Sequence, residues 1–163
     1  MLTGERKRAR AVYISLLLVS LAWLGLIFAA PYLSAERHPV ASLLLYQGFS
    51  AICHQMPDRS FHFHGFPLGV CSRCTGIYGG FLAGLIFYPL LRTVESEISP
   101  TRWWLIASTA PILIDSVGGS AGLFANTFHS RSITGAVCGF VAAFYILPGF
   151  VSIISSRAVK VCA

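Results

Sequence analysis

Four long apolar runs constrain the fold of this chain more than any other feature. Each approaches the roughly 20 residues that a helix needs to cross the hydrocarbon core of a bilayer. A mean hydropathy of +0.70 with 11% charged residues leaves too little polar surface for a water-soluble domain. The sequence therefore predicts an all-α polytopic membrane protein with four transmembrane helices, forming a single integral membrane domain over residues 1–163. The predicted spans are residues 12–33, 72–91, 103–118 and 133–155, of which the third is short and interrupted by Asp115.

The connection between the first two spans is long, and part of it is apolar. It covers residues 34–71, and residues 40–52 within it form an apolar stretch. This stretch is too short to span a bilayer and favours an interfacial or re-entrant helix. The N-terminal apolar run follows a basic segment, as in a signal peptide. Its near-span length favours an uncleaved first helix instead.

The net charge of +6 follows from membrane topology, and we expect no nucleic-acid partner. With four spans, eight of the twelve Lys and Arg residues fall on one side of the membrane. The positive-inside rule makes that side cytoplasmic. Both termini then lie in the cytoplasm, and the connection at residues 34–71 faces outward. The eight residues are Arg6, Lys7, Arg8, Arg10, Arg92, Arg102, Arg157 and Lys160.

A short segment from Cys53 to Cys74 holds three of the five cysteines and three of the five histidines. Cys71 and Cys74 form a CxxC pair at the start of the second span, and Cys53 and His54 lie eighteen and seventeen residues before Cys71. Zinc takes four soft or borderline ligands in a tetrahedron, and this spacing is compatible with a Cys₃His site. We therefore expect zinc, or another soft or borderline metal, at Cys53, His54, Cys71 and Cys74.

The same CxxC pair is also compatible with thiol–disulfide exchange, because a helix N-terminus lowers thiol pKa values. Quinone-linked membrane disulfide oxidases use a second pair of outward cysteines. Here only Cys53 remains outside, since Cys138 lies within the fourth span and Cys162 in the cytoplasmic tail. Three outward thiols favour a metal site over disulfides, although redox and purely structural cysteines stay open as alternatives.

Asp115 marks a second polar position, about 18 Å along the third span at 1.5 Å per residue. An ionisable group within a span indicates a site or a buried ion pair. Its candidate partners are Arg59, Arg73 and Arg131. Two interpretations follow: a salt bridge that ties helices to the outer loop, or a pocket for a phosphate, carboxylate or lipid head group. Asn126 is placed to line the same pocket.

Small residues at four-residue spacing predict which helices are neighbours. They occur at Gly76, Gly80 and Gly84 in the second span and at Gly135 and Gly139 in the fourth. This spacing allows helix backbones to approach closely in lipid. We therefore expect the second and fourth spans to lie side by side.

Several of these residues form a recognisable string. Cys53-His54-Gln55, then Arg59-Ser60, then C-x-R-C-T-G-x-Y-x-G over residues 71–80 resembles a family of uncharacterised prokaryotic membrane proteins, the domain of unknown function 2085. The later positions Asp115, Asn126 and Arg131 are also similar. The resemblance implies that the cysteines, the arginines and Asp115 belong together, in a prokaryotic plasma (inner) membrane. It implies no activity, and His62 and His64 fall outside its pattern.

Three functional hypotheses remain from the sequence. The first is an outward-facing Cys₃His metal site beside an Arg/Asp pocket for an anionic or lipid-derived ligand. The second is a membrane thiol–disulfide oxidoreductase that uses the CxxC pair with Cys53 as resolving thiol. The third is a non-catalytic subunit of a larger membrane complex, or a homo-oligomer. Whether the protein is an enzyme stays open, because metal-dependent hydrolysis requires an open coordination position and four protein ligands would leave none.

Overall fold

A computed structural model describes residues 3–123 and 125–161, with side chains for residues 4–123 and 125–154. Within this part of the chain the secondary structure consists of five α-helices, with one 3₁₀ turn and one short strand pair in the connection between the second and third helices. The elements are α1 (Thr3–Ala35), α2 (Pro39–Ser50), a 3₁₀ turn (Pro57–Arg59), β1 (His62–Phe63), β2 (Phe66–Pro67), α3 (Ser72–Leu91), α4 (Arg102–Ser120) and α5 (Phe128–Val161).

Three helices of the described chain are long and apolar enough to cross a membrane. They are Gly4–Ala35, Ser72–Leu91 and Phe128–Ile154. The all-α class and the first, second and fourth predicted spans agree with this finding. The third predicted span corresponds to α4, which has 19 residues but is not among the three. Its hydropathy is reduced by Asp115 and by the serines, threonine and glycines along it.

Helices α3 and α5 pack more closely than any other pair, and they run parallel. A Cβ atom on Gly76 would collide with the backbone of Ser132, and one on Gly80 with that of Ala136. Further along both helices, Gly84 lies against Phe140. Each step of four residues along α3 is matched by a step of four residues along α5, so both helices start at the same end of the molecule. The predicted pairing of these two helices is confirmed.

Helices α1 and α4 run in the opposite direction to this pair. The Tyr13 hydroxyl donates to the Leu85 carbonyl at 3.2 Å, and the Gly69 N–H, just before α3, donates to the Ile27 carbonyl at 3.2 Å. At one end of α4 the Tyr145 hydroxyl donates to the Thr101 carbonyl at 2.7 Å. Near its other end α4 reaches the first turn of α3. It therefore covers the same height as α3 and about the first half of α5.

Helix α2 folds back along the C-terminal part of α1. The Ser42 hydroxyl donates to the Ala30 carbonyl at 2.8 Å, and the ring of Phe49 meets that of Trp23 edge-on at 5.3 Å. Its opposite face is apolar and exposed, with Val40 72% and Leu44 63% accessible. The helix agrees with the short helix predicted within residues 40–52, and one of its apolar faces is exposed.

Two buried clusters mark the two ends of the bundle. One joins α1, α3 and α5 around Tyr88, Leu85 and Leu147. The other contains Ile27, Phe49, Cys53, Leu68 and Val70, with Cys71 and Cys74 packed against it. The second cluster is the support on which the cysteine segment rests.

Candidate metal and anion site

Cys53, Cys71 and Cys74 converge at the end of the bundle where α3 and α5 begin. Their Sγ atoms all lie within 4.8 Å of one another. Cys53 is buried, and Cys71 and Cys74 are partly exposed. A zinc ion with Zn–S bonds of about 2.3 Å holds sulfurs about 3.8 Å apart. The three sulfurs are therefore close enough together to hold one metal ion.

The local backbone brings the three thiols together. Helix α2 ends in a turn in which the Cys53 N–H donates to the Phe49 carbonyl at 3.0 Å. Cys71 is the extended residue that precedes α3, and Cys74 lies in the first turn of that helix. The cysteines of the CxxC motif thus lie at a helix N-terminus, where the helix dipole favours negatively charged sulfur.

The intervening connection leaves Cys53 and returns to Cys71 through a small hairpin. Strand β1 pairs with β2 in the register His62↔Pro67 and Phe63↔Phe66. His64 and Gly65 both have positive φ, of 51° and 83°, as a tight two-residue hairpin turn requires. His62 and His64 are exposed, and neither belongs to the three-sulfur cluster.

Gln55 holds the two ends of this connection together. Its side-chain Nε2 donates to the Tyr46 carbonyl at 2.9 Å and to the Gly69 carbonyl at 2.7 Å. One bond reaches α2 and the other reaches the segment before Cys71. Sequence analysis did not assign this residue a role, although its place in the Cys53-His54-Gln55 string was a signal.

Backbone amides point at the Cys53 sulfur. The Cys71 N–H lies 3.2 Å from Cys53 Sγ, and the Gln55 N–H lies 3.5 Å from it. A hydrogen bond from the Cys74 thiol lowers the pKa of Cys71, against the opposing effect of burial. A lowered pKa favours the thiolate of Cys71, which is the form that binds metal.

His54 shares the cavity of the cysteines but does not join their cluster. Its side chain is exposed and lines a cavity of about 360 Å³ together with the three cysteines. Within the described residues, the group close enough to hold one metal ion consists of the three sulfurs alone. His54 is therefore adjacent to the predicted site and not within its innermost group.

Three arginines complete the cavity. Arg59, Arg73 and Arg131 line the cysteine cavity and also a neighbouring cavity of about 110 Å³. The second cavity is bounded on its other sides by Asn126 and by residues from the end of α4. The predicted arginines, one from the α2–α3 connection and one each from α3 and α5, are thus brought together beside the sulfurs.

The ion pair predicted for Asp115 forms with Arg73. The Arg73 Nη2 atom lies 2.6 Å from Asp115 Oδ2, and Nη1 lies 3.4 Å from the Ser116 hydroxyl. The Asp115 side chain is 6% exposed and that of Arg73 is 23% exposed. This pair joins the start of α3 to the end of α4.

Asn126 fastens the α4–α5 connection to the same place. Its Nδ2 donates to the backbone carbonyl of Asp115 at 2.8 Å. Its side chain packs on Gly119, where any Cβ atom would collide with the amide. Two polar atoms facing this region, Arg73 Nε and Asn126 Oδ1, are buried without a hydrogen-bond partner among the described residues.

Comparison with known proteins places the chain in a family. A family model described as "Predicted membrane protein (DUF2085)" matches residues 53–145. An uncharacterized protein of Methanocaldococcus jannaschii is 38% identical over 150 residues, covering 89% of this chain and 96% of that protein. An uncharacterized protein of Methanothermobacter thermautotrophicus is 59% identical over 32 residues, covering 20% of this chain and 29% of that protein. No solved structure shows a significant match. The chain therefore belongs to the DUF2085 family of predicted membrane proteins.

Proposed function

We propose that this protein holds a zinc ion at the outer face of a membrane, beside a cationic pocket for an anionic ligand. The observation that carries the proposal is the convergence of three sulfurs within 4.8 Å in a cavity that also contains three arginines. Cys53, Cys71 and Cys74 are the proposed metal ligands. The backbone N–H groups of Cys71 and Gln55 that point at the Cys53 sulfur support it, because they hold this sulfur in position.

His54 is the proposed fourth ligand. It follows Cys53 directly, and its exposed side chain lines the same cavity as the three sulfurs. If His54 bound as well, four protein ligands would close the tetrahedron and the metal would be structural. Without His54, the metal would keep an open position for water or a ligand.

The ligand pocket comprises Arg59, Arg73, Asp115, Asn126 and Arg131. Arginine forks bind the oxygens of phosphates and carboxylates in pairs, which suits an anionic or lipid-derived ligand. In this proposal the metal holds the outer connection against α3, and the Arg73–Asp115 ion pair holds α3 against α4. Together they would keep the three guanidinium groups around one space.

Four crossings of the membrane are part of the same proposal. Because α3 and α5 run parallel, the chain must return between them, and α4 covers that height in the opposite direction. The exposed Leu113, Ile114 and Val117 on α4 suit contact with lipid. With the basic residues of α1 and of the α3–α4 connection in the cytoplasm, the cysteine cavity faces outward.

Metal analysis of protein purified in detergent tests the metal site. We expect about one zinc ion per chain, lost in Cys53→Ser, Cys71→Ser and Cys74→Ser. Cys138→Ser is the matched control, because Cys138 lies in α5 away from the cluster, and it should retain the metal. His54→Ala should weaken zinc binding without removing the three sulfurs.

A metal-free protein with a reducible Cys71–Cys74 disulfide would contradict this proposal. Activity of that protein in a quinone-coupled thiol oxidation assay would establish the oxidoreductase hypothesis instead. Co-purification in mild detergent tests whether the chain works as a subunit of a larger complex or as a homo-oligomer.

A further inference from the structure

We propose that the pocket between Arg59, Arg73 and Arg131 binds a phosphate group, either free or in a lipid head group. This inference deepens the proposed function, since it names the ligand of the cationic pocket. The inference rests on the proposed function for the assignment of the pocket. It does not depend on the proposed metal site.

The charges around the pocket are unbalanced. Three guanidinium groups line the pocket, whereas the Asp115 carboxylate is not among the lining residues and is already paired with Arg73 at 2.6 Å. Among the side chains that the structure describes, no carboxylate lies within 4.0 Å of a nitrogen of Arg59 or Arg131. Like charges in a partly buried space repel each other, and an anion between them removes the repulsion.

The polar groups around the cavity suit a tetrahedral oxyanion. The guanidinium groups supply several N–H donors in planar forks, and the hydroxyls of Ser116 and Ser120 line the same space. Among the described residues, the buried donor Arg73 Nε has no hydrogen-bond partner, and it is available to a phosphate oxygen. The buried acceptor Asn126 Oδ1 likewise has no partner among these residues, and a hydroxyl of the phosphate or of the head group would satisfy it.

The depth of the pocket matches the level of lipid phosphates. Arg10 near the start of α1 pairs with Glu95 in the α3–α4 connection, which marks the cytoplasmic end of the bundle. From Arg10 to Ile27 the helix rises about 26 Å at 1.5 Å per residue. The Ile27 carbonyl accepts a hydrogen bond from the Gly69 N–H, next to the cysteine cavity. The pocket thus lies near the outer limit of a hydrocarbon core roughly 30 Å thick.

Two binding measurements in maltoside detergent, which contains no phosphorus, distinguish the sources of the phosphate. Inorganic phosphate is titrated into the metal-containing protein by calorimetry. Phosphatidylglycerol and a galactosyl diacylglycerol, which lacks phosphate, are compared by native mass spectrometry. We expect binding of inorganic phosphate, of phosphatidylglycerol, or of both, and none of the galactolipid. Saturable binding of inorganic phosphate alone identifies free phosphate as the ligand, and saturable binding of phosphatidylglycerol alone identifies a lipid head group.

Variants connect the binding to the pocket. Arg59→Gln and Arg131→Gln should weaken phosphate binding about ten- to hundredfold, the usual effect of losing a hydrogen bond between charged groups. Arg37→Gln is the matched control, because Arg37 lies in the α1–α2 turn outside the pocket and carries the same charge. It should bind phosphate as the unaltered protein does.

Zinc content is measured in the same samples, so the two proposals fail separately. Absence of binding in both arms, by a protein that contains zinc, overturns the phosphate proposal and leaves the metal site standing. Equal affinity in Arg59→Gln, Arg131→Gln and the unaltered protein also overturns it. Phosphate binding by a zinc-free protein overturns the metal site alone.

Discussion

Arg73 lies between the two cysteines of the CxxC motif, and its guanidinium group is 2.6 Å from the carboxylate of Asp115. A single residue therefore connects the start of α3, the end of α4 and the cavity of the three sulfurs. Because the pair is largely buried, the geometry of the cavity also depends on the position of α4 relative to α3. This relationship underlies the first prediction.

Asp115→Asn should destabilise the protein by about 2 kcal/mol, because it leaves the Arg73 charge partly buried without its counter-charge. The loss is smaller than for a fully buried pair, since the Arg73 side chain is 23% exposed. Thermal unfolding in detergent measures it. Glu97→Gln, at an exposed position in the α3–α4 connection, is the control. In the Arg73→Gln/Asp115→Asn double variant the unpaired charge is gone, so its unfolding midpoint should be higher than that of Asp115→Asn. A midpoint no higher than that of Asp115→Asn would argue against an unpaired charge as the cause.

Gly80→Ala should destabilise the bundle, whereas Gly79→Ala should not. A Cβ atom at Gly80 meets the backbone of Ala136, which cannot move aside as a side chain would, while the space beside Gly79 is open. Overpacking of this kind costs about 1–3 kcal/mol. The midpoints of thermal unfolding of the two variants measure the difference. Equal midpoints would contradict the close approach of α3 and α5.

Gln55→Asn should weaken zinc binding about ten- to hundredfold without removing a ligand, the range found when groups supporting metal ligands are lost. The shorter amide still tolerates the positive φ of 48° at this position but cannot reach both carbonyl groups. Competition with a chromogenic chelator measures the affinity. Gln47→Asn, at an exposed position in α2, is the control.

Unchanged zinc affinity in Gln55→Asn would show that the bonds to Tyr46 and Gly69 do not support the sulfurs. Folding of the variant is checked by its unfolding midpoint. A loss of zinc with an intact midpoint assigns the effect to the site.

A cysteine introduced by Leu123→Cys should react with a membrane-impermeant thiol reagent on whole cells, and one introduced by Glu97→Cys should not. Both positions are exposed, and they lie at opposite ends of α4. Each is introduced into a chain whose own cysteines are replaced by serine. Reaction at both positions, or at neither, would show that α4 does not cross the membrane.

The reverse pattern in the same experiment has a different meaning. Reaction at Glu97→Cys alone would keep the crossing and invert the protein, which would place the cysteine cavity in the cytoplasm. Labelling of both positions after the cells are opened is the control for accessibility.

Local patterns were sufficient to predict the helices and several of their contacts. Long apolar runs identified α1, α3 and α5, and the glycines at four-residue spacing identified α3 and α5 as neighbours. Asp115 was recognisable as the partner of an arginine because a carboxylate in an apolar helix requires one. The hydropathy of α4 did not decide its role, since polar residues that pack or pair inside the bundle lower its average.

The role of Gln55 and the position of the His54 side chain could not be predicted from the sequence. A glutamine in a loop has no periodicity to show which carbonyls it will bind, and those it binds are nine residues before it and fourteen after it. Likewise, His54 follows Cys53 in the chain, but adjacent residues of an irregular segment point in different directions. Its exposed side chain reflects the backbone at that position and not its spacing from Cys71.

The sequence by itself determined an all-helical membrane protein and singled out its candidate site residues, because apolar length and residue type are local properties. Only the tertiary structure decided that three sulfurs meet within 4.8 Å and that the arginines of three separate segments share a cavity with them. These are consequences of how helices pack, and packing depends on contacts between residues that are far apart in the chain.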